Sequence, residues 1–156
     1  MKSLLGLSVA LTVAVSLAAS VSAASPQSGT LKIYKDCSEY TGRPGSFCTI
    51  RSSSLHEIRA GSKVVYLQPT SLTSNVVLHL PAPAVDKAFG KCSLSKTGNG
   101  KCTFTGGTGM FVGFHADLRV THLGDPTASP FYYWQGQYSF SGQRNWWQWW
   151  FRQEHA

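Results

Sequence analysis

From residue 112 to residue 121 the side chains alternate without a break, Val112, Phe114, Ala116, Leu118 and Val120 on one side and Gly113, His115, Asp117, Arg119 and Thr121 on the other. A period of two marks an extended strand, because successive side chains leave opposite faces of the backbone. Residues 131–140 repeat the pattern, with Tyr132, Trp134, Gly136, Tyr138 and Phe140 opposed to Phe131, Tyr133, Gln135, Gln137 and Ser139. The segment between them, 124–130, carries two prolines and a glycine and is a connection, so the two runs form an antiparallel hairpin with a wide loop. Shorter strands are expected at 30–35, 48–52, 63–68, 75–80, 89–96 and 101–105, each bounded by Gly, Pro, Asn or Ser. Helical periodicity is missing, and 54–58 is the one place open to a helical turn. Many short strands joined by turns build a barrel or a sandwich.

That pattern occupies 24–142. Ahead of it, Met1 and Lys2 lead into an apolar run from Leu4 to Ala19, and Val21, Ser22 and Ala23 supply the small residues of a cleavage site. Residues 1–23 are therefore expected to be a secretory signal peptide, and the protein to be secreted. Hydrophobic residues make up 42% of the chain and charged ones 13%, which excludes a disordered polymer. No window after the leader holds the ~20 apolar residues of a spanning helix. The net charge of +7 is spread along the chain, so nucleic acid is not an expected partner.

Cys37, Cys48, Cys92 and Cys102 all follow the leader. An even cysteine count in an exported chain signals disulfides, and four cysteines allow three pairings. Cys37 with Cys48 and Cys92 with Cys102 is favoured, because each pair brackets a short segment rich in turn residues. If Cys92 faces Cys102, Leu94 stands opposite Gly100 and Gly90 opposite Phe104. Zinc is the rival reading, but there is no Cys-x-x-Cys pair, and no metal is expected.

Phe104-Thr105-Gly106-Gly107-Thr108-Gly109-Met110-Phe111-Val112-Gly113 is the most distinctive motif. Gly106, Gly107 and Gly109 permit a tight reversal with positive φ, and Phe104 and Phe111 anchor its arms in the core. This segment, with Trp134, Gly136, Tyr138 and Phe140 after it, resembles the barrel of the allene oxide cyclase and dirigent family. The resemblance implies an all-β fold, an antiparallel barrel of about eight strands of calycin type with a cavity along its axis, and a homo-oligomer as one possible assembly. It carries over no active site, because the polar and acidic residues those plant enzymes use lie outside the glycine motif.

His115, Asp117 and Arg119 share one strand face, with Tyr133 on the next strand. Two readings apply to this row. If it lines the cavity, Asp117 orients His115 or pairs with Arg119 and the group polarises an oxygen-bearing ligand, as an isomerase or cyclase without cofactor would require. If the apolar side faces inward, the row is a solvated outer surface. A metal held by His115 and Asp117 with His79 or His122 is a weak signal. The glycine cluster lacks the Gly-Lys-Ser/Thr of a phosphate loop, and there is no Gly-x-Ser-x-Gly elbow.

Residues 143–156 hold Trp146, Trp147, Trp149 and Trp150 between Arg144 and Arg152. Indole beside guanidinium suits an anionic membrane or cell surface. The alternative is a last strand whose aromatic side closes the barrel. The functional expectations are binding of a small hydrophobic or amphipathic molecule in the barrel, cyclase chemistry on the polar row, or surface attachment through the tryptophans.

Overall fold

The computed structural model describes residues 28–70, 72–124 and 131–141. The signal-peptide reading of 1–23 and the surface reading of Trp146, Trp147, Trp149 and Trp150 lie outside the described residues. Eight strands follow in chain order: β1 (Ser28–Asp36), β2 (Phe47–Ser53), β3 (Lys63–Tyr66), β4 (Thr73–His79), β5 (Lys87–Leu94), β6 (Gly100–Gly107), β7 (Phe114–Leu123) and β8 (Phe131–Phe140). Each pairs antiparallel with its neighbours in the chain, and β8 returns to β1 to close the barrel. Closure removes the unpaired edges that an open sheet would expose.

Alternation decides which side chains enter. Leu31 and Ile33 of β1, Ile50 of β2, Val64 of β3, Leu78 of β4 and Phe104 of β6 are buried, as are Phe114, Ala116, Leu118 and Val120 of β7. An eight-stranded barrel is just wide enough for such side chains to fill it. Aromatic rings occupy much of the axis: Phe104 packs 6.0 Å from Phe114 and 6.1 Å from Trp134, and Phe114 lies 5.1 Å from Phe140, centroid to centroid. These spacings suit tilted and edge-on aromatic pairs.

The two ends of the barrel differ. One is plugged: Leu55 and Ile58 fold in from the β2–β3 connection, and Phe111 enters from a short 3₁₀ helix (Gly109–Phe111) to meet Phe114 at 5.4 Å. Two expectations are corrected here. Residues 54–58 form no helix; Ile58 N–H donates to Leu55 O at 3.0 Å in a turn that swings both apolar side chains into the barrel end. Helical geometry arises instead at Gly109–Phe111. The alternation also starts later than expected, because Gly113 takes φ +72° and Val112 sits 64% exposed ahead of β7.

Within the glycine motif the three residues do different jobs. Gly106 and Gly109 have φ of +149° and +54°, as a reversal demands, whereas Gly107 does not have positive φ. A side chain at Gly107 would instead run into Lys87 O and Phe111 Cβ. At Gly109 both constraints meet, since an added Cβ would land on the Asp86 carboxylate that accepts from Met110 N–H at 3.3 Å. Gly109→Ala is accordingly expected to cost about 1–2 kcal/mol, read as a lower urea midpoint. An unchanged midpoint would show that the turn relaxes freely.

Both expected disulfides form, Cys37 with Cys48 and Cys92 with Cys102, and all four cysteines are buried. Cys92 faces Cys102 across β5 and β6, with Leu94 opposite Gly100 and Gly90 opposite Phe104, the register that the cysteine pairing implies.

Candidate functional site

Antiparallel order brings the C-terminal ends of β1, β3, β5 and β7 to the same rim as the N-terminal ends of β2, β4, β6 and β8. Both disulfides lie at this end, away from the plug. A cavity of about 640 Å³ opens here, lined by Tyr40, Tyr66, Tyr132, Leu72 and Leu94 and by polar groups that include Thr70, Thr73, Ser74, Ser95, Lys96 and His122. That volume falls within the roughly 300–1,000 Å³ of small-molecule sites, which pair apolar and aromatic walls with a few polar groups. The His122 ring packs tilted against Tyr132 at 4.9 Å, and its backbone N–H donates to Asn99 Oδ1 at 3.0 Å, tying the β5–β6 turn to the β7 rim.

Against the Tyr66 and Tyr132 rings, and not itself in the cavity wall, sits a lysine. Lys35 follows Leu31 and Ile33 in phase on β1 and is 1% exposed. The β1–β2 pairing shifts register beside it, so that Lys35 faces Ile50 and Arg51 is the extra residue on β2. Asp36, next in sequence, leaves the other face and pairs with Arg51 Nη2 at 2.5 Å. This is the one salt bridge among the described residues, so Lys35 has no carboxylate partner among them. Its Nζ donates to Tyr66 Oη at 2.6 Å and lies 4.3, 5.1 and 5.2 Å from the ring centroids of Trp134, Tyr132 and Tyr66.

This environment sets the protonation states. Burial disfavours the charged form of each group. It drives the Lys35 amine well below the ordinary lysine range. It raises the Tyr66 phenol, helped by Tyr40 and Tyr132, and raises Tyr132, helped by Tyr40. The lysine is pushed toward a neutral amine while the phenols around it keep their protons. Trp134 Nε1 is also buried, with no hydrogen-bond acceptor among the described residues.

The polar row lies elsewhere. His115, Asp117 and Arg119 are exposed on the outside of β7, facing Ser139, Gln137 and Gln135 of β8. Tyr133 stands opposite Thr121, on the side of β8 away from buried Trp134. The cavity-lining reading of these four residues is thereby corrected: Phe114, Ala116, Leu118 and Val120 take the interior, and the polar positions are left to water. Asp117 Oδ1 accepts from Thr103 Oγ1 at 3.0 Å, and among the described residues no hydrogen bond links it to His115 or Arg119. A shallow groove of about 250 Å³ runs beside His115, Asp117 and Gln137. His79 and His122 sit at opposite ends of the barrel, and the described residues contain no cluster of three metal-ligating side chains.

No family model, curated protein or solved structure matches the chain. Its chemistry rests on the cavity and on Lys35. Sequence pattern alone does not single out this lysine; its signal is its place in the inner phase of β1, two positions after Ile33.

Proposed function

We propose that the protein is a secreted, disulfide-stabilised barrel that binds a small hydrophobic or amphipathic molecule in the cavity at its open end. The observation that carries this reading is the 640 Å³ cavity, whose wall sets three tyrosines and two leucines among threonines, serines, Lys96 and His122, at the end opposite a plug of buried apolar side chains. Two disulfides favour an oxidising compartment, and the leader-like residues 1–23 favour export. The resemblance of the glycine motif to allene oxide cyclases and dirigent proteins also favours ligand binding by the barrel, here at its open end, since aromatic rings occupy much of the axis.

Nile red, whose emission rises and shifts to the blue in apolar surroundings, tests the reading. The wild-type protein binds it, and Leu94→Trp, which places an indole across the cavity, weakens binding by at least about tenfold, or 1.4 kcal/mol. His115→Ala and Asp117→Asn on the outer face leave it unchanged. Equal affinity in a folded Leu94→Trp variant would place the dye elsewhere and end this reading.

A further inference from the structure

We infer that the outer face of β6, β7, β8 and β1 is a binding surface for a linear acidic polysaccharide, held by Lys101, Arg119 and Lys32 with Lys91 beside them. The inference needs nothing from the open-end cavity. These cations are far apart in the chain, and strand register gathers them: Lys101 stands opposite Arg119, Arg119 opposite Gln135 and Gln135 opposite Lys32. Lys101, Arg119, Gln135 and Lys32 are all exposed. Ser93 continues the row beyond Lys101, and exposed Lys91 lies two positions from it on β5, about 7 Å along the strand. The acidic residues of these five strands are Asp36 and Asp117. Asp36 pairs with Arg51, and Asp117 accepts from Thr103 Oγ1. Among the described residues, then, no carboxylate pairs with any of the four cations.

Like charges directly opposite each other destabilise a strand pair. A Lys101–Arg119 pair that weakens the sheet and meets no carboxylate marks residues kept for a ligand and not for the fold. The rest of the barrel wall lacks such a row. There, β2, β3 and β4 carry only Arg51, which is paired, and Lys63, whose Nζ lies 3.9 Å from the Phe47 ring centroid. From Lys101 to Lys32 the row takes three of the eight steps around the barrel, about 14 Å at strand spacing. A flat bilayer touches a cylinder along one line and meets only part of so curved a row, whereas a flexible polymer follows it. Neutral hydrogen-bonding side chains separate the cations: Gln135 lies between Arg119 and Lys32, and Ser93 and Thr103 lie between Lys91 and Lys101. A polysaccharide offers the matching order, sulfate or carboxylate groups separated by hydroxyls. A single-stranded nucleic acid offers bases instead, which need free aromatic platforms. No residue of the row is aromatic, and Tyr34, two positions from Lys32, is stacked on Phe131 at 5.3 Å.

The test measures binding of dextran sulfate to the full chain, beside uncharged dextran, oligothymidylate and phosphatidylglycerol vesicles. Dextran sulfate is expected to bind, more weakly as salt screens the row, and uncharged dextran not to bind. The double variant Lys101→Gln, Arg119→Gln is expected to bind dextran sulfate at least about tenfold more weakly. The double variant Lys63→Gln, Arg43→Gln removes the same charge outside the row and leaves binding nearly unchanged. Lys101→Glu sets a carboxylate opposite Arg119, so it abolishes binding without lowering the urea midpoint, which keeps loss of binding apart from loss of fold. Equal weakening by the two double variants would reduce the surface to net charge and overturn the inference. Tighter binding of oligothymidylate or of the vesicles at matched charge concentration overturns it in favour of that partner. Nile red binding stays the same in all these variants, so failure of this surface leaves the cavity reading standing.

Discussion

Removing both disulfides through paired cysteine-to-alanine substitutions is expected to lower the unfolding free energy by about 4–6 kcal/mol. The bridges span sequence separations of 11 and 10 residues. Closing loops of that length restricts the unfolded chain by about 2–3 kcal/mol apiece. Small domains hold roughly 5–15 kcal/mol in all, so the double variant should sit close to its unfolding threshold. The loss should be felt first at the open end. Both bridges lie there, and β3 between them is only four residues long. Reduction is therefore expected to release Nile red at urea concentrations where the strands still persist, whereas intact protein loses dye and strands together. Urea titrations followed by circular dichroism and dye emission check this. A drop below about 1 kcal/mol would mean that packing, not cross-linking, holds the rim.

Lys35→Met is expected to do the opposite near neutral pH, stabilising the barrel by about 1–4 kcal/mol, because it relieves a buried amine of its desolvation. The pH dependence separates this from ordinary repacking. In the unfolded chain Lys35 takes up a proton with the ordinary pKa of 10.5, whereas in the barrel its pKa is well below that. Between the two values the unfolded state binds more protons, so stability rises with pH, by about 1.4 kcal/mol per pH unit. The tyrosines act in the other sense. Burial raises Tyr66, Tyr132 and Tyr40 above the ordinary 10.0, so beyond that point the folded state holds more protons and stability falls. Wild type should therefore gain stability up to a pH near 10 and then lose it. In Lys35→Met the rise disappears and only the fall remains. Parallel curves for the two proteins would show that Lys35 costs the fold nothing.

The hairpin of β5 and β6 is legible in the amino-acid sequence, because two cysteines ten positions apart, flanked by Gly90 and Gly100, leave one register that pairs them. The inner faces of β7 and β8 are legible for a similar reason: alternation over ten residues has only two phases, and the apolar one goes inside. The same rule already holds the outward position of His115, Asp117 and Arg119. The plug is not legible, since Leu55, Ile58 and Phe111 belong to connections whose local pattern says nothing about which barrel end they fill. Lys35 is hidden in another way. Its phase with Leu31 and Ile33 is plain, but a lysine at a strand end ordinarily turns to water, and only the closure of β8 onto β1 brings Trp134 and Tyr132 over it. Tyr40 and Leu72 enter the site from connections, so their part in the cavity is set by the tertiary fold alone.

Nuclear magnetic resonance of isotope-labelled protein titrated with a neutral aromatic ligand such as Nile red tests the central claim most directly. Shifts confined to Tyr66, Leu72, Leu94, Gly98, His122 and Tyr132 are the result that the cavity predicts. Shifts confined to His115, Asp117 and Arg119, or none at all, would contradict it.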